Sequence, residues 1–344
     1  MSRRRINLAL QGGGAHGAFT WGVLDRLLED ETIEIAAISG TSAGALNGAA
    51  LRAGLVTGGA EAARANLEWL WAQVGALGHA LPDAWLNLLG PGLLAQALER
   101  SPAYLAFEAG AGVLSPYDTG PFYVNPLRSI VERFRYDEVC AVDGPPLHVC
   151  ATNVRTGKIR VFTGAEIGVE AILASACLPT LFRAVEIEDP ASGRLEAYWD
   201  GGYTGNPALF PLFEPALPPD IVIININPLH REEIPRTARQ IENRINEIGF
   251  NTSLLRELRA IEFVQRLIED GTVPEGRMKR VFVHMIADDA LMNQLSVATK
   301  TVALPAIIAA LKRAGRAAAS DFLERHGAKL NECGSVELPR MFGG

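Results

Sequence analysis

Scarce metal ligands and a negative charge limit the functions open to this 344-residue chain. It has 4 cysteines and 6 histidines, and the cysteines show neither C-x-x-C spacing nor His-rich surroundings that would indicate zinc. No EF-hand pattern is present either, so we predict no metal and no cofactor. A formal net charge of −7 disfavours a nucleic-acid partner. We expect the cysteines to be buried free thiols in a reducing compartment.

Long apolar runs and targeting signals are also lacking. No stretch approaches the roughly 18 unbroken apolar residues of a membrane-spanning helix. Arginines 3–5 precede an apolar run at 6–10 that leads directly into glycines, which does not fit a signal peptide. We therefore expect a cytoplasmic protein whose contact with a membrane, where it occurs, is peripheral. No Ser/Gly-rich linker divides the chain, which favours one α/β domain with helical additions.

Short apolar runs alternate with segments of helical periodicity, and this alternation predicts a mostly parallel sheet covered by helices on both faces. A hairpin is predicted from two alternating segments, 185–188 and 194–199, around a Gly/Pro turn. Helical spacing extends over 240–267 and over 301–323, the latter interrupted at Pro305 and Gly315. The remaining predicted strands lie at 6–10, 33–38, 147–151, 159–162, 221–226 and 281–284.

The first strand is followed by residues 11–17, QGGGAHG, and then by a helix. Glycines there let backbone N–H groups at a helix start approach a negative charge, either a bound phosphate or a transient oxyanion. The pattern fits G-x-G-x-x-G, but a dinucleotide site also needs an acidic residue about 20 positions on, at the end of the second strand. The second strand ends instead in residues 39–44, SGTSAG. A serine stands where a nucleotide-binding enzyme would place its acid.

This serine, Ser42, lies in a G-x-S-x-G pattern, which is typical of a strained turn between a strand and a helix that exposes a nucleophile. Gly40 and Gly44 supply the small flanking residues, and the small residues of 43–50 allow the following helix to pack closely. Ser42 is therefore the candidate nucleophile.

A nucleophilic serine needs a base, and Asp200 is the candidate. It ends a predicted strand and is followed by Gly201 and Gly202, which free the backbone to turn. An ordinary Asp-Gly turn is the alternative. His230, His284 and His326 lie late enough for a Ser-acid-His order, but none has a glycine or an acid that would fix its loop.

His16 belongs to the glycine loop, where a side chain tends to point away from the charge that the amides bind. A free aspartate has a pKa near 3.9, so a base at Asp200 requires a site that raises it. Burial beside Trp199 and apolar residues would do so.

The sequence resembles the patatin-like phospholipase family, particularly its bacterial acyl hydrolases, in four blocks. These are the glycine loop at 12–17, the elbow at 40–44, an Ala-Ser…Pro…Phe block at 174–182 and the aspartate motif at 200–202. The resemblance covers residues 5–230, whereas 231–344 resembles the family's helical C-terminal part only loosely. It implies a three-layer α/β/α fold with a mostly parallel central sheet, a catalytic domain at 5–230 and a mostly helical extension packed on it.

The resemblance further implies a serine acyl hydrolase that cleaves ester bonds of lipids, of the phospholipase A, lysophospholipase or lipid esterase type. An acyl-enzyme would form on Ser42 with Asp200 as base. The remaining implied site residues are the oxyanion donors Gly12, Gly13 and Gly14 and the motif glycines Gly17, Gly40, Gly44, Gly201 and Gly202.

Several alternatives stay open at this point. An acyltransferase, a thioesterase or an intracellular polyester depolymerase would use the same dyad, and a catalytically idle lipid-binding module would use only the pocket. The segment 73–126 is rich in Gly, Pro, Leu and aromatics, and it is expected to form either an apolar lid or a helical subdomain. The expected partner is a lipid or another apolar ester.

Overall fold

A computed structural model of the chain describes residues 3–78, 90–190, 192–274 and 276–342. Every strand predicted from the sequence is present. The strands are β1 (Arg4–Leu10), β2 (Ile33–Thr41), β3 (Leu147–Asn153), β4 (Ile159–Thr163), β5 (Val185–Asp189), β6 (Arg194–Asp200), β7 (Asp220–Ile224) and β8 (Phe282–Ile286).

All eight strands belong to one sheet, in the order β5-β6-β3-β2-β1-β7-β8, with β4 also paired to β3. The parallel part of the sheet consists of β3, β2, β1, β7 and β8. The pairs β3–β4, β3–β6 and β5–β6 are antiparallel. The parallel part is buried on both faces, which explains the continuous apolar runs.

Helices cover both faces of the sheet, as the side chains of β7 show. Val222 and Ile224 join one hydrophobic cluster, and Ile221 and Ile223 join a second one on the opposite face. The helices are α1 (Gly17–Leu27), α2 (Ala43–Ala76), α3 (Pro91–Glu99), α4 (Pro102–Val113), α5 (Arg128–Val131), α6 (Tyr136–Val139), α7 (Val169–Ser175), α8 (Ala238–Glu269), α9 (Asp289–Met292), α10 (Val297–Thr301), α11 (Pro305–His326) and α12 (Leu338–Met341).

The segment after residue 230 is integrated into this architecture. It adds β8 beside β7, α11 against α1, and α8 against the second face. The predicted interruption at Gly315 is wrong, because α11 starts at Pro305 and continues through Gly315. A Cβ on Gly315 would lie 2.1 Å from the backbone oxygen of Phe19, so this glycine allows α1 and α11 to approach closely.

The cysteines differ in exposure, although all four are free thiols. Cys150 and Cys177 are buried as predicted, Cys140 is partly buried, and Cys333 is exposed, which corrects the expectation that all four are buried. Cys333 lies in the exposed part of the connection between α11 and α12. In the described part of the chain, no helix combines the length and apolar character needed to cross a membrane.

Candidate active site

The turn after β2 carries Ser42. This residue has φ 54° and ψ −121°, a left-handed backbone conformation that costs on the order of 1–3 kcal/mol for a residue with a side chain. The flanking glycines are sterically required: a Cβ on Gly40 would lie 2.6 Å from the oxygen of Gly44, and one on Gly44 would lie 2.1 Å from that of Leu10. The Ser42 N–H donates to Ser175 Oγ at 2.9 Å. The turn therefore holds Ser42 at the carboxyl end of β2.

Asp200 reaches Ser42 because two strands share one edge of β3. β2 pairs with β3 as far as Thr41, opposite Cys150. One residue further along β3, Ala151 pairs with Asp200, the last residue of β6. β4 pairs with the opposite edge of β3 at both Cys150 and Ala151. β2 and β6 therefore pair with the same edge of β3, one after the other. The ends of β2 and β6 meet at this point, and they bring Ser42 and Asp200 together.

The Asp200 carboxyl group lacks solvent and has few hydrogen-bond donors. Only 1% of the residue is exposed, against 7% of Ser42. Oδ1 accepts a 2.7 Å bond from the Gly202 N–H, whereas Oδ2 is buried without a partner among the described residues. Burial raises the pKa of Asp200 to about 7, although the Gly202 N–H and the Ser42 side chain act to lower it. A carboxylate that titrates near neutral pH is suited to accept a hydroxyl proton.

The contact between Ser42 and Asp200 is looser than an ordinary hydrogen bond, since Oδ2 has no partner at normal distance and angle. Such contacts in catalytic sites often tighten only when substrate binds. Asp200 itself is fixed through its backbone: its N–H donates to Cys177 O at 2.8 Å, and its carbonyl accepts from Thr152 Oγ1 at 2.8 Å.

The loop after β1 lies directly against the serine. A Cβ on Gly12 would be 2.8 Å from Ser42 Cβ. The Gly12 N–H already donates to Asn206 Oδ1 at 2.7 Å. The N–H groups of Gly13 and Gly14 have no acceptor in the described part of the chain. Of the three predicted oxyanion donors, two are therefore available and the Gly12 amide is engaged.

The other motif glycines are required by close packing. Gly14 has φ 57°, a conformation that favours glycine, and a Cβ there would lie 2.2 Å from Lys300 O. Gly17 packs the loop onto the first residue of α2, where its Cβ would be 2.6 Å from Ala43 Cβ. Gly201 and Gly202 would place a Cβ 2.2 Å from Cys150 O and 2.3 Å from the Phe250 ring, respectively.

The histidines considered from the sequence lie outside this arrangement. His284 packs against Asp220, with Nε2 2.8 Å from Oδ1, but Asp220 begins β7 at the opposite end of the parallel strands from Ser42. His230 is exposed, and His326 ends α11. His16 is buried and lies 2.8 Å from Thr299 Oγ1, and burial followed by the charge of Lys300 holds its pKa well below the usual range.

Sequence analysis missed the polar residues that hold the glycine loop. Gln11 Oε1 accepts from the N–H groups of Ile226 and Asn227 at 2.9 and 3.1 Å, and Asn227 Nδ2 donates to Gly12 O at 2.8 Å. Gln11 and Asn227 follow neighbouring parallel strands, β1 and β7. Polar residues at the carboxyl ends of adjacent strands were the available signal, because that edge of an α/β sheet binds ligands.

The segment 73–126 contains both buried and exposed apolar residues, and the choice between a lid and a helical subdomain stays a prediction. Its first residues continue α2, and it forms α3 and α4. Leu94, Leu98 and Tyr104 are buried, while Leu93, Leu105, Phe107, Leu114 and Tyr117 are exposed. The remaining predicted wall residues, Leu81, Trp85, Leu88, Leu89 and the side chain of Phe122, lie outside the described residues.

Comparison with known proteins supplies independent information. The model of the patatin-like phospholipase family matches residues 8–213, which contain the glycine loop, Ser42 and Asp200. Among solved structures, the chain is similar to VipD from Legionella pneumophila, with 14% identity and a TM-score of 0.43 over 97% of this chain and 72% of VipD. None of the curated proteins is significantly similar to the chain.

The fold and the match over more than half of the chain define a hydrolase with a mostly parallel sheet flanked by helices. The chain belongs to the patatin-like phospholipase family. Members of this family are lipid acyl hydrolases, so the chain is an enzyme that acts on carboxylic ester bonds.

Proposed function

We propose that this protein hydrolyses the ester bonds of a lipid through an acyl-enzyme on Ser42, with Asp200 as the proton acceptor. The observation that carries the proposal is the meeting of β2 and β6 on one edge of β3, because it joins a strained serine to a buried aspartate whose pKa is raised to about 7. Family membership supports a lipid ester as the substrate class.

In the first step, Ser42 Oγ attacks the ester carbonyl carbon while its proton passes to Asp200 Oδ2. The N–H groups of Gly13 and Gly14 stabilise the resulting oxyanion, and removal of one such donor typically costs about 10²–10³ in rate. Collapse of the tetrahedral intermediate breaks the bond to the alcohol oxygen, which takes the proton from Asp200. This leaves the acyl group on Ser42.

In the second step, water attacks the acyl-enzyme and gives a proton to Asp200. The second tetrahedral intermediate expels Ser42 Oγ, which recovers the proton and releases the fatty acid. The two groups thus return to their starting states.

The test combines esterase kinetics with covalent labelling. The protein is assayed with p-nitrophenyl esters of increasing chain length and with phosphatidylcholine and lysophosphatidylcholine in micelles, and is labelled with a fluorophosphonate. We expect Ser42→Ala to lose at least about 10³-fold in kcat and to abolish labelling. Ser192→Ala is the matched control, because Ser192 is exposed in the hairpin between β5 and β6.

A folded wild-type protein that cleaves none of these esters would contradict the proposal. So would activity or labelling that persists in folded Ser42→Ala.

A further inference from the structure

A partly buried lysine lies next to the glycine loop. Lys300 belongs to α10, and its backbone oxygen is the group that excludes a side chain at Gly14. Its Nζ donates to Asn227 Oδ1 at 2.8 Å. The α10 helix therefore places both a backbone group and a positive charge next to the loop.

The orientation of the Asn227 amide follows from its partners. A lysine ammonium only donates and a carbonyl oxygen only accepts, so Oδ1 faces Lys300 and Nδ2 faces Gly12 O, at 2.8 Å. Nδ2 also lies 3.1 Å from Gln11 Oε1. The amide thus connects Lys300 to the Gly12 carbonyl through two hydrogen bonds of normal length.

The Gly12 carbonyl and the Gly13 N–H belong to the same peptide group. A hydrogen bond accepted by the oxygen of a peptide polarises the group and strengthens its N–H as a donor, and successive bonds reinforce one another in a low-dielectric interior. The Gly13 N–H, which lacks an acceptor among the described residues, is one of the two donors assigned above to the oxyanion.

We propose that Lys300 is a positioning residue for catalysis: through Asn227 it polarises the Gly12–Gly13 peptide and so strengthens the Gly13 N–H toward the oxyanion. This inference rests on the proposed function, because it needs an oxyanion at Gly13. Lys300 does not touch the substrate, and its effect passes through the Asn227 side chain.

Three charged or titratable groups on other elements face Lys300. Glu247 of α8 favours its charge, whereas Arg231 opposes it, and these two pair with each other at 2.8 Å. The third is His16, whose lowered pKa keeps it neutral at pH 7. Burial outweighs the pull of Glu247 and lowers the pKa of Lys300 to about 8.

The polarising charge is consequently present below pH 8 and lost as the pH rises through that value. We expect kcat of the wild type to fall on the alkaline side of pH 8, with KM unchanged. Lys300→Gln should lower kcat about tenfold at pH 7 and remove the alkaline decline, because a neutral donor replaces the cation. Lys300→Arg keeps the charge at every pH, so it should restore kcat and also lack the decline.

The matched control is Lys279→Gln. Burial also lowers the pKa of Lys279, but its Nζ donates to Leu212 O and Glu214 O beyond the opposite end of the sheet. We expect its kcat and pH profile to equal those of the wild type. A second relay variant, Asn227→Asp, removes the donor to Gly12 and should make the further change Lys300→Gln nearly without effect on kcat.

The outcomes separate this inference from the proposed function. If Ser42→Ala abolishes activity while Lys300→Gln matches the wild type, the relay is wrong and the dyad stands. An alkaline decline that persists in Lys300→Gln, or equal losses from Lys300→Gln with and without Asn227→Asp, also overturns the relay. Activity unaffected by Ser42→Ala overturns the proposed function itself.

Discussion

Two buried aspartates at opposite ends of the sheet have opposite surroundings. Asp220, at the start of β7, has a group near each oxygen: His284 Nε2 and the Asn331 N–H lie 2.8 and 2.9 Å from Oδ1, and Asn331 Nδ2 donates to Oδ2 at 2.7 Å. Asp200, at the end of β6, receives one bond from the Gly202 N–H, and its Oδ2 receives none from the described residues.

The two carboxyl groups differ in the number of hydrogen-bond donors around them. Burial alone does not distinguish them, because both residues are at most 1% exposed. A carboxylate surrounded by donors is stabilised in its ionised form, whereas a buried carboxylate with few donors retains affinity for a proton. The number of donors therefore identifies Asp200 as the better candidate base, and the predictions below test that distinction.

The largest expected effect is from Asp200→Asn, which should lower kcat by about 10²–10⁴-fold because the proposed general base is lost. The pKa of Asp200 is higher in the folded chain than in the unfolded chain, so its ionisation lowers the free energy of unfolding of the wild type. This destabilisation is fully present above pH 7. The variant should therefore be at least as stable as the wild type at pH 8, as measured by urea unfolding.

Asp220→Asn is the matched substitution. It places an NH₂ group among donors and should lower the free energy of unfolding by about 1–3 kcal/mol while kcat changes little. Loss of activity without loss of stability in Asp220→Asn would remove the distinction between the two aspartates.

A smaller effect on kcat is expected when a glycine next to Ser42 is replaced than when Asp200 is replaced. In Gly12→Ala the new Cβ would lie 2.8 Å from Ser42 Cβ and 2.9 Å from Thr41 O, so the loop must shift. A misplacement of about 1 Å costs roughly 10²-fold in rate, which should appear in kcat. Gly249→Ala in α8 is the control, because no atom lies within 4 Å of its Cβ. Equal kcat values for the two variants would argue against a catalytic role for the loop.

The smallest expected effect is the change in kcat over a single pH unit. In the proposed mechanism only ionised Asp200 accepts the serine proton, so kcat should fall about tenfold per pH unit below about pH 7, where Asp200 is protonated. The decline should have the same midpoint in Asp220→Asn, measured from pH 5 to pH 8 with a stable ester. A midpoint near the usual aspartate pKa would show that burial does not tune Asp200.

The sequence predicted the parallel sheet, the glycine loop, the elbow and the aspartate motif because each has a local pattern that follows directly from backbone requirements. The glycines at 12–14 and the small residues around Ser42 are needed by their own turns. Strand periodicity likewise marks β1 and β7 without knowledge of their neighbours.

The supporting side chains have no such pattern. Asn206, Asn227 and Lys300 contact a loop that lies about two hundred residues or more earlier in the chain, and only tertiary packing brings them there. Gly315 was misread for the same reason, since a helical glycine at a close crossing looks locally like a break. The hydrogen bond from the Gly12 N–H to Asn206 could not be predicted for the same reason.

The shared edge of β3 also has a consequence for the order of folding. The turn that holds Ser42 is built from β2 and α2, whereas Asp200, the proposed base, reaches it only when β6 pairs with β3. Contacts between such distant segments form slowly, because a long loop must first be closed. In the proposed mechanism, a nascent chain that has emerged only as far as β3 contains Ser42 without Asp200, so we expect hydrolysis to begin only after β6 has joined the sheet.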